Sequence, residues 1–359
     1  MNYKNIALVI SFCLGFSNCN NPPKDELHLE NYYTFDSNFT NSPSIIIDND
    51  TLMYLRNDGI ENVYFEAVDV KTNRVFQSVL FEEGYSLGYA NYDFLHKLYI
   101  FPIQLHNLVF QKLDGETKIF KLEETCKIKP LIYDNLVLFQ ERGCCIKVVR
   151  TEDFKTIWTF PTVNFSISQP ILKDGKVIVL LNDNTLISID FVTGKEEWRY
   201  QSITGLHIGI LYGNTQEKVF ILTTDLKDNI ELEAIDIKNG KLLSNKKINE
   251  PLDVWNISNV IIGNKMYCRG YDKVFIYDLS TLDKLNEYRL NELLRTDLIP
   301  YESKVLFSTF NEKKLYYIDN EELKEIQSKI NIQDIIVDSN EVYFFSYPEL
   351  YKVKSNFMK

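Results

Sequence analysis

The sequence predicts an all-β chain, an eight-bladed β-propeller of four-stranded antiparallel blades, with seven blades as the alternative. Three observations predict it. Apolar residues recur with the period of two that marks strands, and no long stretch carries the 3.6-residue period of an amphipathic helix. The apolar start of one strand returns at Leu52, Leu98, Leu136, Val177, Val219, Met266, Val305 and Val342, at spacings of 46, 38, 41, 42, 47, 39 and 37 residues. Those spacings suit a blade of four short strands. The end of the next strand returns in the same phase at Asp69, Lys112, Arg150, Asp190, Asp236, Asp278, Asp319 and Lys354. Two registers that agree along the whole chain define a repeat.

The unit is clearest from Gly175 to Tyr200. Val177 to Leu181 and Leu186 to Ile189 are apolar, β-branched runs separated by the turn cluster Asn182-Asp183-Asn184. Thr193-Gly194 then reverses the chain, because glycine accepts the positive φ such a turn requires. Each unit opens with a further short strand, as in Pro130-Leu131-Ile132, Pro170-Ile171-Leu172, Val260-Ile261-Ile262 and Ile335-Ile336-Val337. It closes with a fourth, as in Thr156 to Phe160, Glu197 to Gln201 and Leu285 to Leu290. Asn291 to Arg295 is the stretch compatible with a single helical turn.

The last unit shows strands at Ile335 to Asp338, Val342 to Ser346 and Leu350 to Lys354, with no fourth to follow. Ahead of the first unit, Leu27 to Phe35 has strand character in Leu29, Tyr32, Tyr33 and Phe35. The economical arrangement lets this N-terminal segment complete the last blade and close the ring, because an open ring leaves unpaired edges.

The pattern of two short strands, then Asp190-x-x-Thr193-Gly194-Lys195, then Trp198, resembles the PQQ-like (quinoprotein-like) propeller repeat. It is sharpest in Lys147 to Phe160, Ile187 to Tyr200 and, without the Trp, Glu233 to Lys241. The resemblance implies that Trp158 and Trp198, at the same phase of consecutive units, dock between adjacent blades and brace them. Trp255 is off phase, in a loop before the sixth unit, and is read equally as core or as surface contact. At fold level the chain is similar to the propeller lipoprotein of the outer-membrane β-barrel assembly machinery, which implies a scaffold for protein partners.

The first residues read as an export signal rather than as part of the fold. Lys4 supplies a positive start, and Ile6 to Phe16 is an apolar run too short to span a bilayer. Phe16-Ser17-Asn18-Cys19 resembles a bacterial lipobox, departing from it at Phe16 and Asn18. The expected organisation is therefore a signal peptide over 1–18, a lipidated Cys19 opening a tether over 19–26, and one propeller domain over 27–359. The expected location is the outer membrane, lipid-anchored, with the leaflet open.

A formal net charge of −11 argues against nucleic acid or an anionic membrane surface as partner, since phosphates need a basic footprint. His28, His96, His106 and His207 stand in no zinc-ligand spacing, and no nucleophile elbow, phosphate loop or Cys-x-x-Cys occurs. Asp48-Asn49-Asp50 and Asn182-Asp183-Asn184 read as turns, because they lack the glycine and terminal acid of a calcium loop. Cys144-Cys145 falls at the hairpin between second and third strands, with one side chain expected inward and its neighbour outward, and a strained vicinal disulfide in an oxidising compartment as the alternative. Quinoprotein dehydrogenases would require a calcium triad, and none falls at matching positions, so neither quinone nor any other cofactor or metal is expected. The reading is a non-enzymatic exported scaffold for envelope or outer-membrane proteins, touching the membrane through its anchor alone. The alternative is small-molecule, glycan or enzymatic activity at the channel mouth.

Overall fold

The computed structural model arranges the chain as eight four-stranded antiparallel sheets. It describes residues 27–353 except 36–44, 58–61, 82–89, 104–105, 127–128, 142, 163–168, 182, 184, 203–205, 213–216, 225–229, 251, 253–258 and 339–340, and of the side chains of 57, 206–212 and 224 only the backbone is described. Among the described residues there is no helix, and Asn291 to Arg295 carries bends and a bridge from Leu294 to Thr309 where a helical turn was compatible with the sequence. Cys19, Trp255 and Lys354 lie outside the described residues.

Blades 1 to 7 span 46–81, 91–121, 131–161, 171–201, 206–248, 260–289 and 299–327, each with its four strands in sequence order. First strands of neighbouring blades approach one another, which places them around the central axis and the fourth strands at the circumference. Second and third strands are almost wholly buried, as in Leu98–Ile103 and Thr185–Asp190, because both faces pack against neighbouring blades. Every second-strand and third-strand position read from the sequence falls within the corresponding strand, Lys354 excepted.

The recurrent Asp has a physical cause. The Asp190 carboxylate accepts the Thr193 backbone N–H at 2.7 Å and the Thr193 hydroxyl at 2.6 Å. Asp278 does the same for the amides of Ser280 and Thr281, at 2.8 and 3.0 Å. These bonds hold both carboxyls below the ordinary aspartate range. Four residues past the third strand's end, Asn73, Phe154, Gly194, Gly240 and Leu282 all take positive φ, between 51° and 70°. A bulge between third and fourth strands accompanies each of these five turns.

Blade 8 joins the two ends of the chain. Its inner strands are Asp334–Asp338, Glu341–Ser346 and Glu349–Val353, and its outer strand is the N-terminal segment Leu29–Thr34. Leu29 pairs with Val353, Glu30 with Lys352 and Asn31 with Tyr351, before a bulge shifts the register to Tyr33 opposite Leu350. Leu27 packs with Ile326 of blade 7 and Val353 of blade 8, and Phe35 with Leu52 and Tyr54 of blade 1. Burial of these two side chains stabilises closure by about 1.5–3 kcal/mol each.

Candidate interaction surface

The antiparallel order divides the turns between two faces. Hairpins joining first to second and third to fourth strands lie on one face. Hairpins joining second to third strands, and the links between blades, lie on the other, called the link face below.

Between blades, the fourth strand of one sheet meets the turn of the next. The Trp158 indole of blade 3 donates to the Phe191 carbonyl of blade 4 at 2.7 Å, and Trp198 of blade 4 donates to Ile237 of blade 5 at 3.0 Å. Each ring covers a glycine so closely that an added Cβ would stand 2.6 Å from Trp158 at Gly194 and 2.5 Å from Trp198 at Gly240. Where the turn carries a bulky residue, that residue occupies the gap. Phe154 of blade 3 receives Lys118 of blade 2 over its ring at 4.5 Å, and Leu282 of blade 6 packs into the core of blade 5. Nearer the axis, polar side chains cross from blade to blade. Asn91 donates to the Pro130 carbonyl at 2.8 Å, Gln169 donates to Lys129 at 2.7 Å, and Ser308 donates to Ile332 at 2.9 Å. Buried Arg269 donates to the carbonyls of Leu294 and Thr296, both at 2.8 Å.

This scaffold holds a run of exposed apolar side chains on the link face of blades 6 to 8. Tyr271, Leu293, Phe310 and Tyr347 are 50%, 52%, 45% and 45% exposed, at positions where strand alternation has ended and nothing forces them inward. Backbone bonds hold the loops of the first three together: Leu294 N–H to Tyr271 at 2.9 Å, and Phe310 N–H to Leu293 at 3.1 Å. Arg295 lays its guanidinium over the Phe310 ring at 5.5 Å and reaches Asn331 in the next link at 3.4 Å. The Tyr347 amide is fixed by Gln333 at 2.9 Å. The opposite face has a second such group in Phe94, Leu95, Tyr133 and Val192, on the turns of blades 2, 3 and 4. Contiguous exposed apolar side chains rimmed by polar groups mark interaction sites.

The channel mouth on the link face carries charge of both signs. Asp334 opens the first strand of blade 8, and burial, with Asp297 adding repulsion, pushes its carboxyl up to about 6. Lys129 precedes the first strand of blade 3, and desolvation by the surrounding walls holds its ammonium below the ordinary lysine range although its surface remains wet.

The sequence-selected residues fall into separate places. Asp48 is a tie between blades, accepting from Tyr92 at 2.9 Å and from Lys97. His96 Nδ1 bonds Asp93 at 2.5 Å, within its own turn. Cys144 is half-buried at a hairpin tip and Cys145 is buried at the start of the following strand, with the sulfurs 2.7 Å apart. Sequence reasoning did not single out the apolar rim. Its only signal was large apolar residues just outside strand phase, as in Gly270-Tyr271-Asp272 and Thr309-Phe310-Asn311.

Eight antiparallel sheets in a ring, closed by the N-terminal strand, define a PQQ-like propeller. Residues 128–328, more than half of the chain, match the family described as outer membrane protein assembly factor BamB, and the chain belongs to that family. Among solved structures it is similar to BamB from Moraxella catarrhalis, at 13% identity and a TM-score of 0.66, covering 91% of this chain and 99% of that one. Similar in fold are also Sqt1 from Saccharomyces cerevisiae (12% identity, TM-score 0.65, 92% and 98% covered) and the C-terminal WD40 domain of Sif2 (10%, 0.64, 91% and 98%). No curated protein matches the sequence.

Proposed function

We propose that this chain is an exported, lipid-anchored propeller that acts without catalysis as a scaffold for envelope or outer-membrane proteins. The observation that carries the reading is the exposed apolar group of Tyr271, Leu293 and Phe310, whose loops are joined by backbone bonds across blades 6 and 7, with Tyr347 exposed on the same face of blade 8. An exposed group with aromatic anchors and a nearby arginine suits protein recognition, since aromatic and arginine side chains dominate interface energetics. Family membership supports the location, as does the lipobox-like Phe16-Ser17-Asn18-Cys19. Cys19 would carry the anchor, and Asn20 to Asp25 the tether.

A photo-crosslinking residue at Phe310, in cells of the source organism, should yield a discrete envelope-protein adduct. The double variant Tyr271→Asp/Phe310→Asp should lose that partner on affinity purification while melting within a few degrees of the parent. Cys19→Ala should abolish acyl labelling and release the chain from membranes. Unchanged partner recovery by the double variant would refute the rim as the docking surface.

A second reading is favoured by Asp334 and Lys129, which stand at the link-face starts of first strands, nearest the axis, and whose charges burial perturbs. It assigns the channel mouth to a small polar ligand, and it gains support if the parent and the double variant copurify a small molecule that Asp334→Asn loses.

A further inference from the structure

We infer that Cys144 and Cys145 form a vicinal dithiol that undergoes thiol–disulfide exchange, closing to a disulfide at the expense of an incoming disulfide substrate. The inference stands apart from the scaffold reading and needs no partner at the apolar rim.

Adjacent residues of a strand point to opposite faces, so neighbouring cysteines in a regular ladder keep their sulfurs apart. Here the pair straddles the end of the ladder. Cys144 belongs to the turn and Cys145 opens the third strand of blade 3, opposite Glu141 on one side and Pro161 on the other. The turn bends Cys144 back over its neighbour and brings the two Sγ atoms to 2.7 Å. The backbone is clamped in this arrangement: the Cys144 N–H donates to Glu141 at 3.3 Å, and its carbonyl accepts from Thr162 at 2.8 Å. Among the described residues other than its chain neighbours, none has a heavy atom within 4 Å of where a Cβ would stand at Gly143, which takes φ 71°.

The surroundings assign the two sulfurs different roles. Cys144 is half-buried at the tip and is the one a substrate can reach. Cys145 is buried, and burial, aided by the bond to Cys144 and opposed by Lys147, pushes its thiol up to about 12. It therefore waits as a neutral thiol until a neighbouring disulfide gives it a target. Beneath them, the fully buried Glu141 is already committed. One oxygen faces the Lys147 ammonium at 2.5 Å, and the other accepts the amides of Glu123 and Glu124 at 2.9 and 3.3 Å. That commitment counts against reading Glu141, Cys144 and Cys145 as a metal site, although their ligand atoms lie within 4.8 Å of one another. A metal on the oxygen that faces Lys147 would have to displace that ammonium, and on the other it would compete with two amides.

The exchange balances without any further reagent. The Cys144 thiolate, its proton lost to solvent, attacks one sulfur of a substrate R–S–S–R, forming a mixed disulfide and expelling RS⁻, which takes up a proton. Cys145 then loses its proton and attacks Cys144 Sγ, closing the ring and expelling a second RS⁻, which is protonated in turn. Two protein thiols are oxidised and one substrate disulfide is reduced to two thiols.

The test treats the full-length, reduced protein with oxidised glutathione in the presence of a chelator, quenches it with an alkylating reagent and maps it with trypsin. Cleavage at Arg142 and Lys147 releases Gly143-Cys144-Cys145-Ile146-Lys147, which carries both cysteines and no other. The inference expects this peptide to resist alkylation and to be lighter by two hydrogens than its reduced form. Cys145→Ser should stop at a glutathione adduct on Cys144, and Cys144→Ser should release glutathione at least about tenfold more slowly, because the buried thiol is left alone. A peptide alkylated at both positions overturns the inference. So does a wild-type glutathione adduct that never resolves, or oxidation that is blocked by added zinc and restored by the chelator.

Discussion

Asp334 shows how one residue's place in the ring sets its chemistry. It opens the innermost strand of blade 8, where walls on both sides withdraw water from its carboxylate, and Asp297 adds like charge. The Ile335 amide donates to it at 2.8 Å, which favours the charged form without offsetting the burial. The folded-state value of about 6 lies above the roughly 3.9 of an unfolded chain, so the folded protein holds this proton more tightly. Folding stability attributable to Asp334 is therefore greatest below about pH 4, falls as pH rises toward about 6, and is level beyond it. The fall should be about 1–2 kcal/mol once partial solvent contact is allowed for. Asp334→Asn should remove it. Urea midpoints for parent and variant, measured from pH 4 to pH 8, should converge at the acid end and separate toward neutrality. Parallel curves would show that the carboxyl is not desolvated in the folded chain.

At the scale of the element, the turn between third and fourth strands is the feature most legible in the sequence. Its Asp caps the turn amides and, in five blades, its fifth residue takes positive φ, so the register of third-strand ends was set by chemistry local to each turn. What the sequence did not reveal is that the fifth position and the preceding blade's fourth strand share one volume. Glycine at 194 and 240 meets a tryptophan from the neighbour, whereas Phe154 and Leu282 fill the space themselves. This partition depends on two segments some forty residues apart, and no local rule connects them. We propose from it that Trp158 and Trp198 brace their blades, and that the bracing is coupled to the glycine opposite. Gly240→Ala should cost about 2–4 kcal/mol in the parent, from a strained φ plus overpacking against Trp198. In a Trp198→Ala background, itself lowered by about 3–5 kcal/mol, the same change should cost only about 1 kcal/mol, the part due to φ. A denaturant-unfolding cycle on the four proteins measures the coupling, and strict additivity would reject it. Gly115→Ala, at φ 102° with open space around it, serves as the reference for backbone strain alone.

At the scale of the molecule, the ring and its closure were readable because counting strands leaves the last blade one short and the first segment unplaced. The exposed apolar group was not readable, because Tyr271, Leu293 and Phe310 lie in separate loops that meet only when blades 6 and 7 stand side by side, and Tyr347 joins the same face only once blade 8 is formed. Closure is what makes those blades rigid relative to one another, so the latch and the rim are linked through the whole circle. Leu29–Thr34 pairs along Glu349–Val353, while Leu27 and Phe35 fasten its two ends to blades 7 and 1. A chain lacking residues 1–35 would leave Glu349–Val353 as an unpaired edge and remove the buried side chains that join blade 8 to its neighbours. Every blade of the intact ring ends in a fourth strand at its circumference, whereas here the edge would be a third strand whose Leu350 and Val353 are buried in the parent, and such an apolar edge offers itself to another chain. The truncated protein should unfold at a lower temperature, by about 10 °C or more, and less cooperatively, and it should associate through the open edge at micromolar concentration. Supplying residues 27–35 as a separate peptide should reverse the association, because it restores the missing strand. Calorimetry and size-exclusion chromatography with light scattering measure both effects. A truncated chain that stays monomeric and melts with the parent would mean that the N-terminal strand decorates a ring already closed by its other contacts.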